Sequence, residues 1–220
     1  MKFPAIQSPG HNVWPLKLVT NLYQLAKEPR AKLLSGTNPL ELSLFTHTPV
    51  TALKHLDSRP YSWTVVTPRG AIQAKYVVHA TNGYLSHLLP QYSHPKTGVI
   101  PTRGQVMAIQ SSAPMSQISR SGFGANSGFE YWFPRPVKSD AEAPLFILGG
   151  GREATKDTGY EYYETNDAAI NENVSGVLRK FLPSVIPTVF PEVRAPEMEW
   201  TAIMGFTGTG DPLAGDCGDP

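Results

Sequence analysis

Cysteine is nearly absent: Cys217 is the one cysteine in 220 residues. That excludes an internal disulfide and any multi-cysteine zinc site. Surplus charge is absent too. Nineteen Lys and Arg stand against 18 Asp and Glu, a net +1, so neither nucleic acid nor an anionic membrane is expected as a partner. No apolar run approaches the roughly 18 residues of a membrane span. The opening Met1–Gly10 lacks the apolar segment of a signal peptide, which favours the cytoplasm. The six histidines include no H-x-x-x-H pair, so no metal site is expected, and no serine sits in G-x-S-x-G. Gly149-Gly150-Gly151-Arg152 lacks the spacing and the Gly-Lys-Ser/Thr of a phosphate loop and reads as a tight strand exit.

What is present is a hydrophobic fraction of 40% with 19 Gly and 21 Pro. That apolar content supports a packed core. The Gly and Pro content exceeds the usual level of roughly 12% without any period, and predicts many turns and short strands.

Leu18, Leu22 and Leu25 fall on one helical face, with Pro15 placed for a first turn and Glu28-Pro29 as the stop. Leucines at period two predict a strand over Leu40–Phe45. Ser62–Thr67 and Ala71–Tyr76 flank Pro68-Arg69-Gly70 as a hairpin, and Tyr76–Ala80 reads as a short buried strand. Arg103–Gln110 reads as a strand and Ser111–Gly128 as a loop. Glu130–Pro134 and Leu145–Gly149 form a second hairpin. One further helix is expected, capped by Asn166 or Asp167, with Ile170, Val174, Val177, Leu178 and Phe181 inward and Pro183 closing it. Gly205–Pro212 reads as a glycine-rich loop, and Trp132, Phe133 and Trp200 as core. The class is α+β, dominated by strands.

The order of the segments carries more than any one of them. Phe45–Leu53, a hairpin, Tyr76–Tyr84, Pro101-Thr102-Arg103-Gly104-Gln105-Val106, Leu148–Gly151 and Trp200–Thr207 succeed one another. This succession resembles the FAD-dependent oxidoreductases of the D-amino acid oxidase and glycine oxidase superfamily. Its Ile-Met-Gly-Phe-Thr ending is most similar to the γ-glutamylputrescine oxidase-like branch.

The resemblance implies a partial FAD-binding domain over 1–97, an antiparallel substrate-domain sheet and helix over 98–199, and a return to the FAD-binding domain over 200–220. It places Val50 beside the adenine of FAD. It makes Ala80, Thr81, Asn82 and Gly83 a strand end that backbone can bring close to the cofactor, where the other reading is an ordinary strand exit. Gly205, Thr207, Gly208 and Asp211 match the loop beside the flavin ring. Tyr131 is the candidate for lining the substrate pocket, or else a half-buried sheet tyrosine. Arg103 falls at the domain junction, as a structural ion pair.

Departures from the family shape the functional expectation. Nothing matches its opening strand–G-x-G-x-x-G–helix unit, which holds the FAD pyrophosphate, nor its closing strand–helix segment, so the chain reads as truncated at both ends. Met204 stands near the position where amino acid oxidases carry a carboxylate-clamping arginine, and methionine cannot form that pair. The expected substrate is therefore a small-molecule amine, oxidised at its C–N bond with electrons passed to oxygen. Relatives similar to sarcosine oxidase attach flavin through a cysteine near Ile203. Cys217 lies well beyond that position, so FAD binding would be non-covalent. No residue presents itself as a catalytic base. Two alternatives stay open: a catalytically inactive family fragment acting as an apo fold or interaction module, and an unrelated β-rich binding protein.

Overall fold

Helix α1 spans Pro15–Lys27, with Pro15 in its first turn, and Glu28 leaves the helix at φ −65°, ψ 141°. Proline's fixed φ suits a first helical turn, where its missing N–H costs nothing. The computed structural model describes residues 12–28, 42–57 and 60–217 and divides into two units, Met1–Lys75 and Tyr76–Pro220. The fold is α+β.

In the first unit, β1 (Ala52–His55), β2 (Trp63–Thr67) and β3 (Gly70–Ala74) form an antiparallel sheet in the order β1-β2-β3. The expected hairpin turns through Pro68 and Arg69. Gly70 takes φ +128°, open to glycine but strained for other residues. The Thr67 hydroxyl donates to the Gly70 carbonyl at 2.7 Å and accepts the Arg69 N–H at 3.2 Å. The strand expected over Leu40–Phe45 does not form where it is described. Leu42–Phe45 are irregular and exposed, while Leu40 and Glu41 lie outside the described residues. Alternating leucines mark a face but supply no ladder partner. Helix α1 buries none of its residues.

The second unit opens with another correction: Tyr76–Ala80 are irregular, and Tyr76 and Val78 are each 87% exposed. A 3-10 turn at Asn82–Tyr84 and the short helix α2 (Leu85–Leu88) follow. The sheet consists of β4 (Val99–Gln110), β5 (Phe123–Ala125), β6 (Glu130–Pro134), β7 (Leu145–Gly149) and β8 (Met198–Thr207), in the order β5-β6-β7-β4-β8. All neighbours are antiparallel. The β6–β7 hairpin is as read. β5 falls inside the segment read as a loop, and β8 runs through Gly205–Thr207, where a loop was expected.

Strand β4 begins four residues before Arg103, and Pro101 lies inside it. A strand residue points its N–H and C=O to the same edge. The Pro101 carbonyl accepts from Tyr163 N–H at 2.7 Å, on the edge away from β8. Its missing donor is therefore lost only toward the 161–163 segment, and the β8 ladder from Val99↔Thr207 to Ala108↔Met198 stays continuous.

The second long helix, α3, spans Glu172–Val185. Its N-cap is Asn171, not Asn166 or Asp167: Asn171 Oδ1 accepts from the N–H groups of Asn173 and Val174, at 3.0 and 3.5 Å. Asn171 Nδ2 meanwhile donates to Glu161 Oε1 at 2.7 Å, a tertiary tie that helical periodicity cannot show. Pro183 sits inside the last turn, and Ile186 N–H closes the helix on the Leu182 carbonyl at 2.8 Å. Val174, Leu178 and Leu182 are buried against Met107, Ile109, Trp132, Phe146 and Leu148. Ile170 and Val177 instead stay 40% and 42% exposed. Each fully buried large side chain here contributes about 1.5–3 kcal/mol of transfer free energy.

Candidate functional site

A close approach joins two of the segments singled out above. Asn82 adopts φ 48°, a left-handed turn that asparagine tolerates. It lays Gly83 on β8: a methyl group at Gly83 would lie 2.8 Å from the Met204 carbonyl oxygen and 2.9 Å from Ile203 Cγ2. The converse holds at Gly205, where a methyl would meet Asn82 Oδ1 at 2.7 Å and Gly83 N at 3.1 Å. Each glycine is therefore required by the other segment. Gly83 is buried, while Ala80, Thr81 and Asn82 are exposed.

Beyond β8, Thr207 Oγ1 donates to the Asp211 carbonyl at 2.7 Å, and Asp211 N–H donates to Thr209 Oγ1 at 3.3 Å. Gly208 packs on Pro95 and Lys96, whose carbonyl oxygen would lie 2.9 Å from an added methyl. The loop is thus tied down, yet Gly208–Asp211 are exposed.

Register fixes which side chains share a face. Tyr131 pairs with Gly149, Gly149 with Val106, and Val106 with Trp200, one row across four strands. Gly104 pairs with Ala202 and Thr102 with Met204 on the same face. Helix α3 covers the opposite face. The two glycines give the row its relief. The Tyr131 ring lies over Gly149 and the Met204 methyl over Gly104, in the space a side chain there would fill. Tyr131 and Met204 thus lie on one face, 43% and 36% exposed, and partial burial raises the Tyr131 phenol's pKa.

Along the α3 side runs a connected polar chain. Arg103 Nε donates to Glu161 Oε2 at 2.6 Å, with both side chains 9% exposed, which makes Arg103 the structural ion pair expected of it. Asn171 N–H donates to Gln105 Oε1 at 2.9 Å, and Gln105 Nε2 to Glu199 Oε1 at 2.8 Å. Ser175 Oγ and Arg179 Nη2 reach Glu199 Oε2 at 3.0 and 3.3 Å.

The segment carrying Glu161 is strained. Tyr160, Glu161 and Tyr163 all have positive φ, between 56° and 65°, a conformation bulky residues rarely adopt. It is held by Glu161, by the Arg103 N–H to Glu161 carbonyl bond at 3.2 Å, and by the Tyr163 bond to Pro101. Its effect is to pair Tyr162 with Thr102, on the face of Met204.

Val50, in the first unit, is partly buried and directly precedes the Thr51 N–H, which donates to the Val66 carbonyl at 2.9 Å. Thr48 Oγ1 donates to the Thr46 carbonyl at 2.9 Å and accepts from Arg69 Nη1 at 3.2 Å.

Sequence reasoning passed over Arg152. Its guanidinium carbon lies 4.8, 5.4 and 5.8 Å from the ring centroids of Phe206, Phe129 and Tyr162. The only local signal is the glycine run before it. Gly150 and Gly151 turn the chain with φ of 132° and 73°. The next residue, Glu153, has its carboxyl pKa pushed up by burial, with the Glu130 carboxylate adding to the rise.

No protein-family model matches the sequence, and no curated protein matches it. The fold, however, is that of a glycine oxidase substructure. The chain is similar to the glycine oxidase of Geobacillus kaustophilus, with TM-score 0.56 and 17% identity over 79% of this chain and 40% of that one. It is similar also to the glycine oxidase of Bacillus cereus ATCC 14579, with TM-score 0.52 and 16% identity over 79% of this chain and 42% of that one. The likeness establishes a shared fold, and it spans about two fifths of either enzyme's length.

Proposed function

We propose that this chain is part of an FAD-dependent oxidoreductase acting on the C–N bond of a small amine. The observation that carries the reading is the reciprocal docking of Asn82-Gly83 on Met204-Gly205, within a fold shared with two glycine oxidases. On this reading 1–97 and 200–220 belong to the FAD-binding part, and 98–199 to the substrate part.

The residues fit the cofactor in one place and resist it in another. The loop Thr207–Asp211, tied down by its own hydrogen bonds and exposed over Gly208–Asp211, suits the edge of a flavin. Ala80, Thr81 and Asn82 are accessible. At Gly83 and Gly205, in contrast, the space is taken up by Met204 and Ile203 and by Asn82 and Val99, which leaves no cradle there. FAD would supply acceptance of a hydride from the amine carbon and delivery of the electrons to oxygen, with water hydrolysing the imine. The chain's own part is to orient the amine over the Tyr131–Met204 face and to exclude water there. Met204 offers no charge to a carboxylate, which favours an amine over a free α-amino acid. Val50 would lie at the adenine end.

The filled space at Gly83 and Gly205 favours a second reading, an apo fold that serves as an interaction module. Absorbance of the gel-filtered protein before and after incubation with FAD separates the two. Retained, non-covalent flavin bands followed by amine-dependent peroxide release are expected. A colourless protein that takes up no flavin overturns the first reading and leaves the second.

A further inference from the structure

Asn82 is the one asparagine in the sequence that is followed by glycine. That dipeptide carries chemistry of its own. The backbone nitrogen of Gly83 can attack the side-chain carbonyl carbon of Asn82, and a residue without a Cβ is the one that lets this nitrogen approach most closely. The new N–Cγ bond closes a succinimide ring, the Cγ–Nδ2 bond breaks, and ammonia leaves with the Gly83 amide proton. Water then opens the ring at either carbonyl, leaving aspartate or isoaspartate.

The fold sets the two reacting groups side by side. Asn82 Oδ1 and Gly83 N lie 2.7 and 3.1 Å from a single point, the position that a methyl on Gly205 would take. The carboxamide is therefore turned back toward its own following peptide, on the side that meets β8. The Gly83 N–H donates to no acceptor among the described residues, and Asn82 is exposed to water.

The same contacts withhold the motion that ring closure needs. Closure turns the Asn82-Gly83 peptide and carries its nitrogen toward Cγ. Gly83 is buried, and the Met204 carbonyl oxygen and Ile203 Cγ2 stand 2.8 and 2.9 Å from the place of an added methyl. On the carboxamide side, Val99 Cγ1 crowds Gly205 at 2.8 Å. Close-packed surroundings resist such a turn, so it waits on a local opening.

We propose that Asn82 is a deamidation site gated by β8: it converts when Asn82-Gly83 lifts from Met204-Gly205, and conversion keeps the segment from docking again. Isoaspartate adds one backbone carbon ahead of Gly83, which shifts that glycine out of the space left for it. Either product also puts a carboxylate where Asn82 Oδ1 now packs on Gly205, and an unpaired charge resists that burial. The site needs neither flavin nor turnover, so it stands or falls apart from the oxidoreductase reading.

Conversion at Asn82 is followed at neutral pH by tandem mass spectrometry and isoaspartate-specific methylation, in the full chain and in a synthetic peptide of residues 77–88. The native chain converts about tenfold or more slowly than the peptide, because the docked state must first open. Gly205→Ala, which parts the two segments, and Ile203→Ala, which removes the Cγ2 against Gly83, both move the rate toward that of the peptide. Equal rates in native chain and peptide, or variants that convert no faster than the native chain, overturn the gate. The comparison of native chain with peptide decides it even if neither variant folds. For the second half of the proposal, the full chain is aged in urea and refolded, beside Asn82→Gln treated in the same way. The isoaspartyl chain exchanges its amide hydrogens over 82–84 and 203–205 faster than the glutamine variant does. Matching exchange in the two refutes the loss of docking.

Discussion

Gly83 and Gly205 show how little room a single residue can have. Neither needs glycine for its φ; Gly83 needs it because the Met204 carbonyl and Ile203 occupy the space of a side chain, and Gly205 because the Asn82 side chain and Val99 do. Gly83→Ala and Gly205→Ala should each destabilise by about 1–3 kcal/mol, the usual cost of overpacking. The double variant should fall short of the sum, since the first methyl already parts the two segments. Urea unfolding of the three variants checks both statements. Glu153 yields a pH prediction. Its carboxyl is raised in the fold, first by burial and then by Glu130. It therefore stabilises below its unfolded pKa and loses that contribution as pH rises through the folded value. Glu153→Gln should accordingly be more stable than the native protein at neutral pH and gain nothing in mild acid, read as Tm against pH.

At the scale of elements, the core is α3 against one face of the five-stranded sheet. Leu178 is fully buried among Val174, Trp132 and Leu148, so Leu178→Ala should cost about 2–5 kcal/mol in chemical denaturation. Helix α1 is the opposite case. A 13-residue helix that buries none of its residues draws little stability from packing, and isolated helices of that length are marginal in water. Its amides should exchange with deuterium well before those of β4. The contrast also marks what could be read from the chain. The α1 boundaries, the Pro68-Arg69-Gly70 turn and the β6–β7 hairpin were legible because local chemistry decides them. The start of α3 was not, because Asn171 is held as cap by Glu161, on the strained segment before the helix, and by Gln105, far away in sequence on β4. The strands expected at Leu42–Phe45 and Tyr76–Ala80 have good β composition and no partner, and composition cannot provide one. At the site, the motif order pointed to Asn82-Gly83 and Met204-Gly205 separately. Their mutual docking, and the ring box around Arg152, depend on register across β4 and β8.

For the whole molecule, the decisive ladder is the one between β4 and β8, from Val99↔Thr207 to Ala108↔Met198. The partners lie about a hundred residues apart, and pairings of that separation fold slowly because the loop must close before any contact rewards it. During synthesis β4 emerges long before its outer neighbour, and for that interval one edge of an apolar strand stays open to any passing strand. Refolding from urea should therefore show a slow phase, and the yield should fall as protein concentration rises. The turn at Asn82-Gly83, also made early, waits on that same late strand to be buried, so the last strand to arrive completes both the sheet and the candidate site in a single step.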